Sequence, residues 1–221
     1  MLVRTTEQSY TDKMYKKTIN KFALENLKPL GFVQLGDSRT WFVDRGDYLV
    51  VLNFESSGTK KGTYIDIGLN FLWNPKNYIS YDFFFNGNTR ITPFIEYQSE
   101  DQFKEELDKV LKITLITVDQ YLNIKDMKTL SDLIVVSDTT LSSESWLVFH
   151  KAVLEGLVGN IKTSEILFNN LIKSDEISNI PWNIERLNES MKLISSLKDS
   201  RESFASLISE KVSGGREMLK I

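Results

Sequence analysis

Residues 62–73, GTYIDIGLNFLW, alternate between apolar and polar side chains, and this alternation constrains the fold more than any other feature of the chain. Successive side chains of a strand point to opposite faces of a sheet, so a period of two predicts a β-strand. The polar row is either a solvated sheet face or the floor of a functional site. The largely apolar row comprises Thr63, Ile65, Ile67, Leu69, Phe71 and Trp73, and the other row comprises Tyr64, Asp66, Gly68, Asn70 and Leu72.

Two further strands are predicted immediately before this run. Residues 39–44 (RTWFVD) and 48–55 (YLVVLNFE) are rich in aromatic and β-branched side chains. A short loop that contains Gly46 separates them, and this arrangement predicts a hairpin. With residues 62–73, the pattern indicates three strands of a meander.

A second hairpin is predicted after the alternating run. Residues 77–85 and 89–97 flank an Asn-Gly-Asn loop, which is typical of a tight closure and places Phe85 opposite Thr89. Pro93 cannot donate a hydrogen bond to a ladder, so the last strand is expected at a sheet edge or a bulge. The sheet should therefore contain about five antiparallel strands.

Apolar residues return to a helical period on both sides of the predicted sheet. Residues 11–28 form the first predicted helix, which Pro29 and Gly31 end. Ser99, followed three residues later by Gln102, predicts the capped start of a long helix that should be buried on two sides. Five more helices are predicted over residues 127–135, 144–158, 161–172, 182–197 and 201–212.

Segregation of strand and helix patterns along the chain indicates an α+β fold. We predict an N-terminal helix, an antiparallel meander of about five strands, a long packing helix and a C-terminal helical lobe. An α+β domain is expected over residues 1–124, with an all-helical lobe over residues 125–221 packed on it. Gly214 is expected just past the end of the last helix.

Composition argues against several classes of protein. There are 27 Lys and Arg against 30 Asp and Glu, and the interleaved signs argue against a nucleic-acid partner. Cysteine is absent, which excludes disulfides and thiolate metal sites and is typical of a reducing compartment. No stretch approaches the roughly 18 apolar residues of a membrane span, and the N-terminal residues lack the apolar core of a secretory signal. We expect a cytoplasmic protein without membrane contact, as a monomer or a weak homodimer.

Familiar catalytic and cofactor motifs are absent from the sequence. The single histidine, His150, lies in an apolar stretch, which excludes multi-histidine metal centres and favours a structural role. The loop Gly58–Thr63 lacks the spacing of a phosphate-binding loop, and no dinucleotide fingerprint occurs. We therefore predict no metal, no cofactor and no catalytic residue. Four tryptophans are interpreted as core or rim packing residues rather than stacking platforms: Trp41, Trp73, Trp146 and Trp182.

Candidate binding residues come from the polar row and the second predicted hairpin. If both lie on one sheet face, Tyr64, Asp66 and Asn70 share it with Asp82 and Arg90. Two carboxylates and an arginine beside an aromatic ring can hold a polar ligand, or do acid–base chemistry once burial separates their pKa values. The simpler interpretation is a partly solvated face, on which Asp82 and Arg90 form an ion pair worth roughly a few tenths of a kcal/mol.

Four short segments follow one another in order between Leu27 and Phe71: LKPLGF, TWFV, NFESS and YIDIGL. This order resembles the signature region of an uncharacterised bacterial family, domain of unknown function 4304. The resemblance covers about the first half of the chain and departs at Glu55, where glutamine-like chemistry is expected. It implies a bacterial, cytosolic protein. The family carries no assigned reaction, so the resemblance implies no site residue.

The sequence thus favours a non-catalytic bacterial or phage protein that binds another protein through its sheet face or its helical lobe. An immunity protein or a regulatory partner would fit this description. The alternative is a hydrolase or transferase that uses Asp66 and Asp82 in a cleft between the sheet and the helical lobe.

Overall fold

The computed structural model describes residues 6–135, 145–175 and 180–221, and they form the predicted α+β fold. The helices are Thr6–Asn26 (α1), Glu100–Leu122 (α2), Met127–Leu133 (α3), Ser145–Val158 (α4), Ile161–Asp175 (α5), Pro181–Asp199 (α6) and Arg201–Leu219 (α7). The strands are Val33–Gln34 (β1), Thr40–Asp44 (β2), Tyr48–Ser56 (β3), Gly62–Phe71 (β4) and Ile95–Glu96 (β5). These five strands make one antiparallel sheet in the order β1-β2-β3-β4-β5.

The described residues divide into two compact units. The first contains the chain up to Leu69 together with Phe84–Asn123, and the second contains Asn70–Phe83 together with Ile124–Ile221. The boundary between Leu69 and Asn70 falls inside β4.

In the first unit, α1 covers the sheet with the apolar face that its sequence period predicts. Ile19, Phe22 and Ala23 are buried, and the Phe22 ring meets the Phe54 ring of β3 edge to face at 6.0 Å between centroids. Gly31 ends the short helical turn after α1 with a φ of 90°, a left-handed conformation that glycine adopts without strain.

The hairpin of β2 and β3 has the predicted position. Phe42 pairs with Val51, and the Arg45 N–H donates to the Tyr48 carbonyl at 3.0 Å. Gly46 supplies the turn with a φ of 89°. Because the turn residues and the flanking strand residues are neighbours in sequence, local pattern is enough to predict this element.

The second predicted hairpin is wrong. Residues 77–85 form no strand, and residues 89–92 instead run beside β4: the Ile67 N–H donates to Thr89 and the Ile91 N–H donates to Ile65, at 2.8 and 2.9 Å. Only two residues of the predicted last strand, Ile95–Glu96, form β5, which pairs with Gly62 and Thr63. As expected for a segment near Pro93, β5 lies at an edge of the sheet.

Both rows of β4 are buried, so the prediction of a partly solvated polar face is wrong for most of this strand. Asp66 is 5% exposed and Asn70 is 4% exposed, while Ile65, Ile67 and Leu69 are fully buried. Tyr64 is only partly covered. Buried carboxylate and amide groups need hydrogen-bonding or charged partners, and the partners of Asp66 and Asn70 define the candidate site.

Helix α2 begins as its capping pattern predicts. The Gln102 N–H donates to the Ser99 hydroxyl at 3.2 Å, and the Gln102 side chain accepts from the Gln98 N–H. The expected burial on two sides is wrong, because Ile113 and Ile116 are 47% and 49% exposed. A single stripe faces the core instead: Phe103, Leu107, Thr114, Val118 and Tyr121.

The second unit packs helices α3–α7 around a row of aromatic rings. Phe149, Phe168 and Phe204 meet edge to face, with centroids 6.1 and 6.5 Å apart. Pro181 occupies the first turn of α6, where its missing N–H costs no intrahelical hydrogen bond. The predicted helix start at residue 144 lies outside the described residues.

The predicted end of the last helix near Gly214 is wrong, because α7 continues to Leu219. Glycine is required at the next position for a packing reason: a Cβ on Gly215 would lie 2.3 Å from the carbonyl oxygen of Leu72. Across the described part of the chain, no helix is both long enough and apolar enough to cross a membrane.

Candidate functional site

The five predicted binding residues fall into two groups, one in each unit. Tyr64, Asp66 and Arg90 come together in the first unit, and we call them the arginine cluster. Asn70 and Asp82 come together in the second unit. With their partners they form a group that we call the histidine network: Asn70, Trp73, Lys76, Ser80, Asp82 and His150.

In the arginine cluster, Arg90 is held between a carboxylate and an aromatic ring. Its Nε lies 3.4 Å from Asp66 Oδ1, and its Cζ lies 3.6 Å from the centre of the Tyr64 ring. The Tyr64 ring in turn contacts the Phe94 ring at 5.0 Å. The guanidinium is therefore fixed, although 42% of the Arg90 side chain remains exposed.

Burial raises the pKa of Asp66 above its ordinary value, because removal from water disfavours the charged form. The Arg90 guanidinium opposes this increase in pKa, and the negative charge of Glu55 adds to it. Asp66 Oδ1 is buried and accepts no hydrogen bond from the described residues. The ion pair with Arg90 thus compensates the buried charge only in part.

Two residues near this cluster were not predicted as part of it. Glu55 accepts a 2.7 Å hydrogen bond from the Asn53 amide, and Asn53 accepts from the Thr40 hydroxyl at 3.2 Å. Asn53 and Glu55 stand two apart on β3, so strand alternation places them on one face. That spacing is the signal that would have brought them into the prediction.

In the histidine network, side-chain hydrogen bonds join the segment that contains Ser80 and Asp82 to the end of β4. Asn70 Oδ1 accepts from the Ser80 N–H at 2.9 Å, and Asp82 Oδ2 accepts from the Phe71 N–H at 2.8 Å. Short polar side chains compete with strand pairing in this way. Residues 77–85 form no strand, and the segment of the predicted partner strand at 89–91 pairs with β4 instead.

Asp82 also receives donors on its second oxygen. The Ser80 hydroxyl lies 2.9 Å and Lys76 Nζ lies 3.2 Å from Asp82 Oδ1. The predicted pairing of Asp82 with Arg90 is therefore wrong: Asp82 pairs with Lys76, and Arg90 pairs with Asp66. Charge-assisted hydrogen bonds to both oxygens make Asp82 a well-compensated buried carboxylate.

His150 is fully buried beside this carboxylate. Its Nδ1 accepts a hydrogen bond from the Trp73 indole at 3.1 Å, and its Nε2 lies 3.8 Å from Asp82 Oδ1. Burial lowers the pKa of His150 to about 4; the Asp82 charge counteracts this decrease and the Lys76 charge adds to it. The imidazole is therefore neutral at pH 7.

This geometry gives His150 a structural role, in agreement with the interpretation from sequence. A general base needs a free nitrogen lone pair directed at the group that loses a proton. The only lone pair of the neutral ring is at Nδ1, where the Trp73 N–H already occupies it. His150 consequently cannot activate the Ser80 hydroxyl as a nucleophile.

A cleft of about 670 Å³ opens in the second unit beside the histidine network. We call it the aromatic cleft, and its position is not evident from the sequence. Trp182 and Tyr78 are 59% and 60% exposed at its rim. Its lining residues are Asn74, Pro75, Lys76, Asn77, Tyr78, Trp146, Trp182, Glu185 and Met218.

The inner wall of the aromatic cleft is firmly supported. Lys76 Nζ and Arg186 Cζ lie 5.6 and 5.3 Å from the centre of the Trp146 ring, and Phe149 meets that ring at 5.4 Å. Lys76 is itself held by Asp82 and Ser80. The histidine network therefore fixes both Trp146 and the segment that carries Tyr78.

The interpretation of the tryptophans as core or rim packing residues is confirmed for Trp41, Trp73 and Trp146, of which Trp146 packs against Phe149 in the wall of the cleft. Trp41 and Trp73 are 2% and 1% exposed, whereas Trp182 projects into solvent. Tyr78, Trp146 and Trp182 come from three separate segments of the chain. No short motif connects them, so sequence periodicity gives no signal for the cleft.

Within the described residues, no three metal-binding side chains come together. No family model, curated protein or solved structure matches the chain. The resemblance of residues 27–71 to domain of unknown function 4304 therefore stays a prediction.

Proposed function

We propose that this protein is a non-catalytic binding module, of bacterial or phage origin, that recognises a protein partner through the aromatic cleft. The role would be that of an immunity protein or a regulatory partner. The observation that carries this proposal is the exposure of Trp182 and Tyr78 around a cavity of about 670 Å³.

Exposed aromatic side chains at a concave site are typical of the centres of protein interfaces. Tryptophan and tyrosine dominate binding energy at such centres because they bury large areas and lose little conformational entropy. Met218, 52% exposed at the same cleft, adds an adaptable apolar surface.

The second reason for choosing the aromatic cleft is that neighbouring side chains hold part of its lining in place. A binding site that is already ordered avoids the entropic cost of fixing its side chains when the ligand arrives. The cations beside Trp146 and the hydrogen bonds of Asp82 provide that order. The polar row of β4 offers less accessible surface for a partner, because Asp66 and Asn70 are buried.

Partner capture with matched variants tests this proposal. Wild-type protein, a Tyr78→Ala/Trp182→Ala variant and an Ile113→Ala/Ile116→Ala control would be immobilised and exposed to extract from the source cells. The control removes apolar side chains of α2 that are 47% and 49% exposed, against 60% and 59% for Tyr78 and Trp182. A partner that all three capture, or that only the control loses, contradicts the proposal.

The identified partner would then be purified and titrated against each variant by calorimetry. We expect the cleft variant to bind at least about 30-fold more weakly, corresponding to roughly 2 kcal/mol for a hot-spot loss. The control should bind as the wild type does. Both variants should retain the wild-type melting temperature, because all four substituted side chains are about half exposed.

A hydrolase or transferase is the second candidate, and the raised pKa of Asp66 is the observation that favours it. Asp82, the second carboxylate of the predicted cleft, belongs to the other unit and accepts hydrogen bonds on both oxygens. The carboxylate whose charge acts on Asp66 is that of Glu55. Asp66→Asn should then abolish turnover of ester, phosphate or glycoside substrates without unfolding the protein. Turnover that is equal in wild type and variant would remove this candidate.

A further inference from the structure

The aromatic cleft has a chemical character that narrows the kind of protein segment it would hold. We propose that the cleft takes an extended, proline-containing peptide segment that carries a lysine or arginine. This inference rests on the proposed function, since it specifies the partner of the same surface.

The aromatic lining favours an extended segment over a helix or a sheet edge. Proline-rich segments adopt the polyproline II conformation before binding and dock into grooves lined by aromatic rings. Tyr78, Trp146 and Trp182 provide three such rings from separate elements. Because the segment is already extended, little conformational entropy is lost when it binds.

Polar groups between the rings suit the exposed backbone of such a segment. A polyproline II helix has no internal hydrogen bonds, so its carbonyl groups remain available as acceptors. The side chains of Asn74 and Asn77 line the cleft and carry amide donors. Asn74 Nδ2 is buried and has no hydrogen-bond partner among the described residues.

Charge at the cleft favours a basic residue in the ligand. Of the two charged residues in the lining, Lys76 already pairs with Asp82 at 3.2 Å and its side chain is only 22% exposed. Glu185 is exposed, and no ion pair to it occurs among the described residues. The available charge at the rim is therefore negative, which complements lysine or arginine.

Three synthetic peptides test these features separately: repeated Pro-Pro-Arg, repeated Pro-Pro-Glu and repeated Ala-Ala-Arg. Each would be titrated into the full chain while tryptophan fluorescence and calorimetric heat are followed. We expect Pro-Pro-Arg to bind most tightly and both other peptides at least about tenfold more weakly. Equal binding of Pro-Pro-Arg and Pro-Pro-Glu would overturn the charge assignment, and equal binding of Pro-Pro-Arg and Ala-Ala-Arg the proline assignment.

Substitutions in the lining test whether the peptide binds in the aromatic cleft. Trp182→Ala should weaken Pro-Pro-Arg binding at least tenfold, whereas Ile116→Ala should leave it unchanged. Glu185→Gln should weaken only the peptides that contain arginine, by about threefold, as for an exposed ion pair. Binding that is unaffected by Trp182→Ala would overturn the assignment of the site.

A soluble oligosaccharide of glucose is the competing ligand, because sugar rings also stack on exposed aromatic faces. Binding of the oligosaccharide without binding of any peptide would overturn the inference. If no peptide binds but a captured partner still depends on Trp182 and Tyr78, the peptide assignment fails and the proposed function stands. If substitution of Trp182 and Tyr78 leaves partner binding unchanged, the proposed function fails as well.

Discussion

In the histidine network the carboxylate of Asp82 receives hydrogen bonds on both oxygens. In the arginine cluster Asp66 experiences the positive charge of Arg90 and the negative charge of Glu55, and its Oδ1 accepts no hydrogen bond from the described residues. Both carboxylates are buried, and burial raises the pKa of Asp66. The difference teaches that burial alone does not decide how a carboxylate contributes to stability. The number and quality of its donors decide it.

Replacing each carboxylate in turn with a neutral amide should give the largest difference in unfolding free energy between the two sites. Asp82→Asn leaves the Phe71 N–H, the Ser80 hydroxyl and Lys76 without their charged acceptor, and we expect a loss of about 3 to 4 kcal/mol of unfolding free energy. Asp66→Asn is the matched control and should change it by less than about 1 kcal/mol, because its charged form is already disfavoured. Urea unfolding monitored by circular dichroism measures both. Equal losses would show that the two carboxylates are not different.

Acid should weaken the histidine network. The pKa of His150 is about 4 in the folded protein and about 6.5 in the unfolded chain, so the unfolded chain binds the extra proton first as the pH falls. On the order of 3 kcal/mol should be lost between pH 6.5 and pH 4, and none of it is lost above pH 7. Repeated urea titrations over this range provide the measurement.

His150→Gln separates this acid effect from the titration of carboxylates. Glutamine keeps an acceptor for the Trp73 N–H but cannot be protonated in this range. The variant should therefore lose most of the slope in stability between pH 6.5 and pH 4. Titration of Asp66 should have the opposite effect on stability. Its pKa is raised in the folded protein, so protonation at low pH removes an unfavourable buried charge and stabilises the fold. An unchanged slope in the variant would refute the role of His150.

High pH should lower the unfolding free energy through the first unit instead. Burial raises the pKa of Tyr121 to about 12, and its hydroxyl accepts from the Phe85 N–H at 3.0 Å. As the pH rises from 10 to 12, the unfolded chain ionises first and roughly 2 kcal/mol of stability should be lost. Tyr121→Phe should remove this alkaline loss, at a cost of about 1 kcal/mol at pH 7 for the missing hydrogen bond. Unfolding curves of wild type and variant at pH 9 and pH 12 measure this loss.

The smallest expected effect concerns the stacking of Arg90 on Tyr64. Arg90→Lys keeps the charge near Asp66 but loses the planar group over the ring, and should cost about 0.5 kcal/mol. A double-mutant cycle with Tyr64→Leu isolates the coupling between the two side chains. A coupling energy near zero would mean that the arginine cluster is held by charge alone.

Elements that depend on neighbouring residues could be predicted from the sequence. The β2–β3 hairpin needs only the turn at Gly46 and its flanking strands, and the start of α2 needs only Ser99 and Gln102. The N-terminal helix, the three meander strands β2, β3 and β4 and the C-terminal helices were likewise evident from the periods of apolar residues, whereas β1 was not predicted.

The candidate site could be predicted only in part, because its contacts join distant positions. Tyr64 and Arg90 were correctly grouped with Asp66. The partners of Asp82 were missed, because Asp82 pairs with Lys76 and accepts from the backbone N–H of Phe71. Strand alternation records which side chains share a face and carries no information on whether a side chain caps a backbone group. The aromatic cleft was missed for a similar reason, since its rings lie far apart in the chain.

The position of the unit boundary inside β4 has a consequence for how the gene can be divided. The chain passes from one unit to the other after Leu69, Phe83 and Asn123, so neither unit is a single continuous segment. No one cut in the gene yields either of them whole. Exchange of modules by recombination at a single point would therefore damage both units, and we expect them to be inherited together.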